Sequence, residues 1–220
     1  MGKSSQANTD ITSDLLLQAY AVGVFPMAES RHGELRWVDP DRRGILPLDS
    51  FHLSRTNRRV IRRGGYRVTV NRAFREVLRG CAARPETWIN AEIARLYIEL
   101  HERGFAHSVE VWDARDDALF GGIYGVSLGA AFFGESMFSA KTNGSKIALT
   151  FLMARLNAGG YALMDTQFVT SHLASFGAVE ISRSEYRARL AHAIRTQSDW
   201  SVLPEDASPD DAVHLSTQTS

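Results

Sequence analysis

At 220 residues the chain can bury one large core, or a core domain with a smaller partner. Lysine plus arginine and aspartate plus glutamate total 25 each, so net charge says nothing about partners and only the distribution of charge can. A single cysteine, Cys81, excludes an internal disulfide. The longest uncharged run, Ala118 to Gly134, is too short and too rich in glycine for a membrane span, and the apolar stretch Leu15 to Phe25 has no small-residue cleavage site after it. A cytoplasmic monomer without membrane association is expected.

Thr12 or Ser13 can cap a helix carrying Leu15, Leu16, Ala19 and Tyr20, with Gly23 as its stop. Pro26 then holds its predecessor in extended geometry. The stretch to about Ser54 is short and rich in Pro and Gly, and reads as a small N-terminal lobe, residues 1–54. Tyr66 to Val70 alternates as a strand does. Asn71 is placed to cap a helix to Leu78, and Asn90 to open another that runs through Leu96 and Leu100 to a stop at Gly104.

Three antiparallel strands are predicted next, at His107–Asp113, Leu119–Leu128 and Ala130–Phe138, the first two joined by the polar loop Ala114-Arg115-Asp116-Asp117. Ser145 opens a helix whose Ile147, Leu149, Leu152 and Leu156 give one broad apolar face, ending at Gly159-Gly160. A buried strand at Tyr161–Asp165, a helix around His172, a strand at Val179–Ile181 and a helix from Ser184 to Ile194 complete the order. That order is α+β, a mainly antiparallel sheet flanked by helices over residues 55–200. After Trp200 the composition shifts: residues 201–220 hold Glu205, Asp206, Asp210 and Asp211 and no Lys or Arg, so an acidic, mobile tail is expected.

Between residues 55 and 84 stand ten arginines (55, 58, 59, 62, 63, 67, 72, 75, 79 and 84) against one acid, Glu76. Arg72, Arg75 and Arg79 recur at helical spacing, and Arg62 and Arg63 adjoin them. Such an excess is either a phosphate-binding surface or a solvated face with internal ion pairs. Glu135 and Asp165 lie in apolar contexts, so each needs a cationic or hydrogen-bonding partner, which could be the chain's own Arg or Lys. Asp165 and Gln167 are two apart, which on an extended segment puts both side chains on one face. Gln167 accepts hydrogen bonds but is a poor base. His101 and His107 do not have ligand spacing, and no metal is implied. Cys81 sits near a helix end among arginines, where its pKa can fall.

The blocks Phe132-Phe133-Gly134-Glu135-Ser136-Met137-Phe138-Ser139 and Met164-Asp165-Thr166-Gln167, with His107-Ser108-Val109-Glu110-Val111-Trp112, Gly121-Gly122-Ile123-Tyr124-Gly125 and Gly177-Ala178, resemble the leucyl/phenylalanyl-tRNA–protein transferases from about Leu16 to about Ile194. The resemblance implies an acetyltransferase-like (GNAT-type) catalytic domain and an aminoacyltransferase without cofactor. It would move Leu or Phe, with Met as a third candidate, from aminoacyl-tRNA to the α-amine of proteins beginning with Arg or Lys, marking them for N-end-rule degradation. Asp165 and Gln167 would be the catalytic pair, Asp165 holding or electrostatically stabilising the attacking amine and Gln167 orienting it, with Glu135 an acidic neighbour of the acceptor. Met137 and Ser139, with Ile123, Leu152, Leu156 and Met164, would line the pocket for the amino-acid side chain. Trp88, Trp37 and Phe25 are candidates to stack on the terminal adenosine. Arg62, Arg63, Arg72, Arg75 and Arg79 would contact the tRNA backbone. Two other classes fit parts of the chain. A coenzyme A-dependent N-acyltransferase would need a phosphate cradle, for which Asn143-Gly144-Ser145-Lys146 is the one candidate; a non-catalytic RNA-binding module would leave Glu135 and Asp165 unexplained.

Overall fold

The sheet that organises the molecule is built out of chain order. The structure, a computed structural model, describes residues 11–28, 33–84 and 87–217; the first ten residues of the expected N-terminal lobe and the last three of the tail lie outside them. Thr12 caps helix α1 (Ser13–Ala21), and a two-stranded antiparallel hairpin of β1 (Phe25–Ala28) and β2 (Leu35–Val38) follows. Strand β3 (Arg42–Ile45) then enters the main sheet, so the N-terminal segment is no separate lobe ending at residue 54.

Helix α2 (Arg55–Arg62), β4 (Tyr66–Val70), α3 (Phe74–Ala82) and α4 (Ala91–Glu102) precede a meander of β5 (Ala106–Asp113), β6 (Leu119–Leu128) and β7 (Ala131–Ser139). After it come α5 (Gly144–Ala158), β8 (Leu163–Gln167), the single-turn α6 (Ser171–Ala174), β9 (Val179–Ser182), α7 (Arg183–Ala193) and α8 (Pro209–Ser216). The seven-stranded sheet has the order β4-β5-β6-β7-β8-β3-β9. It is mixed: β7 and β8 run parallel, joined through α5, and the other pairings are antiparallel. The chain is thus a mixed α and β protein with eight helices among the described residues.

Alternation along the strands builds two cores. Ile123 and Phe132 face one with α5, and Tyr124 and Phe133 face the other with α1, α3, α4 and α7. Asn90 caps α4 as expected, its side chain accepting from Ile93 N. Asn71 does not cap α3. It takes a left-handed φ of 59° and accepts from Ser108 N, and α3 starts after Ala73, so Arg72 lies outside the helix that carries Arg75 and Arg79.

Two expectations about the C-terminal half need correction. Helix α5 is buried from Ile147 through Leu156 without interruption, where one apolar face was predicted. The reason is α8: residues 201–217 are an ordered cover for α5, not a mobile tail. Leu203, Ala212 and Val213 join the α5 core, Arg155 donates to the carbonyls of Trp200 and Pro204, and Asn157 donates to Leu215 O at 2.8 Å. The acids of this segment pair outward, Asp210 with Arg62 and Glu205 with Arg72.

Deleting residues 201–220 should therefore lower the thermal midpoint. Burying Leu203 and Val213 is worth about 3 kcal/mol or more, a fall of roughly 6–12 °C for a chain of this size. An unchanged midpoint in calorimetry would show that the segment does not cover α5 in solution.

Candidate active site

Strands β7 and β8 pair only from Ala131 opposite Leu163 to Phe133 opposite Asp165. Beyond that point they separate, and β7 residues Gly134–Ser139 with the chain from Thr166 onward line a cavity of about 760 Å³. Two bulges aim polar side chains at this gap. Between β6 and β7 the register passes from Tyr124–Ser136 to Gly125–Gly134, leaving Glu135 as the extra residue. Between β3 and β8 it passes from Ile45–Asp165 to Gly44–Gln167, leaving Thr166. A bulge re-aims a side chain at the cost of a local ladder bond. Both need a glycine opposite: a Cβ on Gly125 would press into the Phe133 carbonyl oxygen, and one on Gly44 would lie 2.7 Å from the Phe168 carbonyl carbon.

Asp165 is fully buried and does not reach the cavity. Its oxygens accept from Arg43 Nε at 2.9 Å, Arg43 Nη2 at 2.6 Å, Tyr186 Oη at 2.8 Å and the backbone N–H of Gln167 at 2.8 Å. The chain's own groups already occupy the carboxylate. Burial opposes the charge on Arg43, and its bonds to Asp165 more than offset that, so the guanidinium stays charged.

Gln167 does line the cavity. Its φ of 59° and the Phe168 N–H bond to Thr166 O at 2.6 Å make it the centre of a γ-turn of the rare, strained form. Such strain persists only where the surroundings enforce it, and here the Asp165 bond to its N–H does so. The side-chain amide fits best with Nε2 donating to Thr166 O at 3.0 Å and Gly134 O at 2.9 Å. The opposite orientation offers only a 3.4 Å contact to Glu135 and sets the amide oxygen against two carbonyls. With the nitrogen tied to backbone, the amide oxygen is turned toward Glu135.

Glu135 is half-buried and opens on the cavity. Tyr20 Oη lies 2.6 Å from one carboxyl oxygen, Tyr97 Oη lies 2.7 Å from the other, and the two hydroxyls are 2.7 Å apart. Three such contacts need three protons and the tyrosines supply two, so the full set is satisfied when the carboxyl carries the third. Burial accordingly pushes the Glu135 pKa up to about 7, against the tyrosine hydrogen bonds, which favour the anion.

Ile123, Met137, Ser139, Met164 and Trp88 line the same cavity, as does Phe25. Leu152 and Leu156 do not: they sit in the core behind Ile123 and Met164. Trp37 lies on the β1–β2 hairpin opposite Pro26, 39% exposed, and does not line the cavity. Cys81 is buried, and burial pushes its thiol up to about 12 rather than down. Tyr20, Arg43, Tyr97 and Tyr186 escaped the sequence reading as site residues. The need of a buried acid for a partner was the available signal, but nothing local says which residue answers it.

The expected tRNA-contacting arginines are exposed. Arg72 pairs with Glu205 at 3.2 Å, Arg75 with Glu102 at 2.6 Å, Arg79 with Glu76 at 2.8 Å and Arg62 with Asp210 at 2.7 Å. Surface pairs of this kind are worth roughly 0–1 kcal/mol and exchange readily for other anions. Arg63 lines a shallow concavity with Arg55, Arg58, Arg59 and Arg62. The site and this surface come from one chain.

A family model for leucyl/phenylalanyl-tRNA protein transferase matches residues 45–191, and a model of that family's N-terminal domain matches residues 9–41. Leucyl/phenylalanyl-tRNA–protein transferases from three organisms are similar over most of their length. The one from Ruegeria sp. (strain TM1040) is 60% identical over 96% of this chain and 99% of its own. Those from Jannaschia sp. (strain CCS1) and Maricaulis maris (strain MCS10) are 58% and 56% identical, covering 89% and 93% of this chain and 92% and 96% of theirs. With both halves matched and the cavity residues inside the matched span, the chain belongs to the leucyl/phenylalanyl-tRNA–protein transferases, a family of aminoacyltransferases.

Proposed function

We propose that the chain moves Leu or Phe, and Met as a third donor residue, from aminoacyl-tRNA to the α-amine of proteins beginning with Arg or Lys, as a cytoplasmic monomer that marks them for N-end-rule degradation. The parting of β7 from β8 with α5 between them supports an acetyltransferase-type arrangement. The observation that carries the reading is Glu135: one carboxyl, poised near neutrality, beside the Gln167 amide oxygen on the wall of a largely apolar cavity.

The acceptor ammonium is held between the Glu135 carboxylate and Gln167 Oε1, two acceptors suited to N–H donors. The ammonium gives a proton to Glu135, and the free amine attacks the ester carbonyl. An N–C bond forms, the C–O bond to the ribose breaks, and the ribose oxygen departs with the second proton that the attacking nitrogen gives up. Ile123, Met137 and Met164 receive the apolar side chain, Met being adaptable enough for both Leu and Phe. The ester is already activated, and holding the reactants together supplies roughly 7–11 kcal/mol. Asp165 acts from behind, through the Gln167 turn. Incubation with labelled leucyl-tRNA or acetyl-CoA and an Arg-terminated peptide tests the reading: transfer of leucine alone is expected, and acetyl transfer would replace it with the coenzyme A-dependent alternative.

Three outcomes follow from this geometry. The first concerns pH. The fold raises the Glu135 pKa from an ordinary 4.5 to about 7, so its contribution to stability is full below 4.5 and is lost as pH rises through 7. Glu135→Gln, neutral throughout, should gain stability relative to wild type between pH 5 and 9, while its transfer rate falls roughly 10²- to 10⁴-fold and loses the ionisation near 7. A variant with the wild-type pH–rate profile would remove Glu135 from proton transfer.

The second separates Asp165 from Gln167. Asp165→Asn leaves Arg43 buried and unpaired, so about 3–5 kcal/mol of stability should go with the activity. Gln167→Ala should keep the melting temperature within a few degrees and cut the rate at saturating substrate roughly 10- to 1000-fold. Asp165→Asn melting as wild type would return that residue to direct contact with substrate.

The third concerns the arginines. Aminoacyl-tRNA binding should weaken with salt at a slope of roughly −0.7 to −0.9 per phosphate neutralised, and charge reversal at Arg75 or Arg79 should flatten it. Unchanged slopes in both variants would leave these residues as solvated ion pairs.

A further inference from the structure

An aminoacyl ester on a terminal ribose brings four chemically distinct parts into the cavity. In the transferase reading, the reacting carbonyl meets the amine held by Glu135 and Gln167, the apolar side chain meets Ile123, Met137 and Met164, and the base has an aromatic platform in Trp88. The ribose hydroxyl beside the ester is left without a partner, and two side chains on the cavity wall are likewise unmatched. Among the described residues, neither His172 Nε2 nor Thr166 Oγ1 has a hydrogen-bond partner, although both atoms are buried. Native proteins satisfy the large majority of buried polar side-chain atoms, so two such atoms on residues that line one cavity call for an explanation.

Both are held in place. Thr166 is the bulge residue between β3 and β8, 8% exposed, and its carbonyl accepts from the Phe168 N–H that closes the Gln167 turn. His172 lies on α6, capped by Thr170, with its ring edge-on to Phe176 at 5.2 Å. Burial, then the nearby Lys146, lowers the His172 pKa, so the ring is neutral. A neutral imidazole and a hydroxyl can each donate or accept. They match a group that does the same, a hydroxyl, better than an ammonium or a phosphate.

We propose that His172 and Thr166 form the ribose subsite, hydrogen-bonding the 2′-hydroxyl next to the esterified oxygen and so fixing the ester's direction of approach to the amine. This rests on the transferase reading. The pair transfers no proton, and the bonds made and broken are those of the transfer step above.

The test measures kcat/KM of the full-length chain for an Arg-terminated peptide, with leucyl-tRNA ending in adenosine or in 2′-deoxyadenosine as donor. Wild type should lose roughly 10- to 100-fold on the deoxy donor, the cost of leaving buried groups unpaired. In His172→Ala the ribose donor should slow and the ratio between donors fall close to one, while His172→Gln, which restores a donor and an acceptor, should regain part of the ratio. Thr166→Val gives the same comparison and carries the test if thermal unfolding shows that His172→Ala does not fold. Wild-type enzyme that treats the two donors alike, or folded variants that keep the full ratio, would overturn the subsite. Wild-type enzyme that transfers no leucine would overturn the transferase reading and the subsite with it.

Discussion

Arg43 and Asp165 form an ion pair with both side chains out of water, 1% and 0% exposed, and most of the site is hung from it. Removing two charges from water is expensive, and the attraction between them repays it only when geometry is good and the remaining polar atoms are satisfied. Both conditions hold. The guanidinium meets the carboxylate through two parallel bonds, gives a further one to Gly23 O, and lies between the rings of Phe25 and Tyr186 at 4.3 and 4.5 Å. The carboxylate spends its remaining capacity on Tyr186 and on the Gln167 N–H. One interaction thereby joins the corner after α1, strand β3, strand β8 and helix α7, and the turn that presents Gln167 is a by-product of its geometry.

Strain and register decide which acid reaches the cavity. An unbroken β8 would alternate Asp165 and Gln167 onto one face; the extra residue Thr166 and the left-handed turn separate them, leaving Asp165 in the interior and Gln167 on the cavity. On β7 the bulge does the converse for Glu135. Electrostatics complete the division. Asp165 has a cation in contact, and Glu135 has two tyrosine hydroxyls, with burial raising its proton affinity. Two carboxyls of the same strand pair are thus given different work by their surroundings.

The meander, the Asn90 cap and the helix after β7 were legible because each is written in local signals: alternation, a capping residue, glycines at the ends. Strand β3 was not, since Arg42-Arg43-Gly44-Ile45 has no strand pattern and its partners lie 120 or more residues away. Helix α8 was half legible. Ser208-Pro209-Asp210-Asp211 is a capping box with proline at its first turn, but four acids and few apolar residues weighed toward a loose tail. For the site, the family blocks located Glu135, Met137, Met164 and Gln167 on the cavity, while Leu152 and Leu156 shared their apolar character and not their place. No local pattern could have told Asp165 from Glu135, because the difference lies in Arg43, Tyr20 and Tyr97, contributed by distant segments.

The position of β3 also sets an order of events in time. Its neighbours in the sheet are β8 on one side and β9 on the other, so a strand made early in synthesis has no backbone partner until residues 163–182 have been made. The meander and α3 to α5 can assemble before then from contacts close in sequence, the kind that form fastest. A chain emerging from the ribosome therefore holds much of its hydrophobic core before Arg43 can reach Asp165, and acquires the geometry of the candidate site only when these distant segments meet.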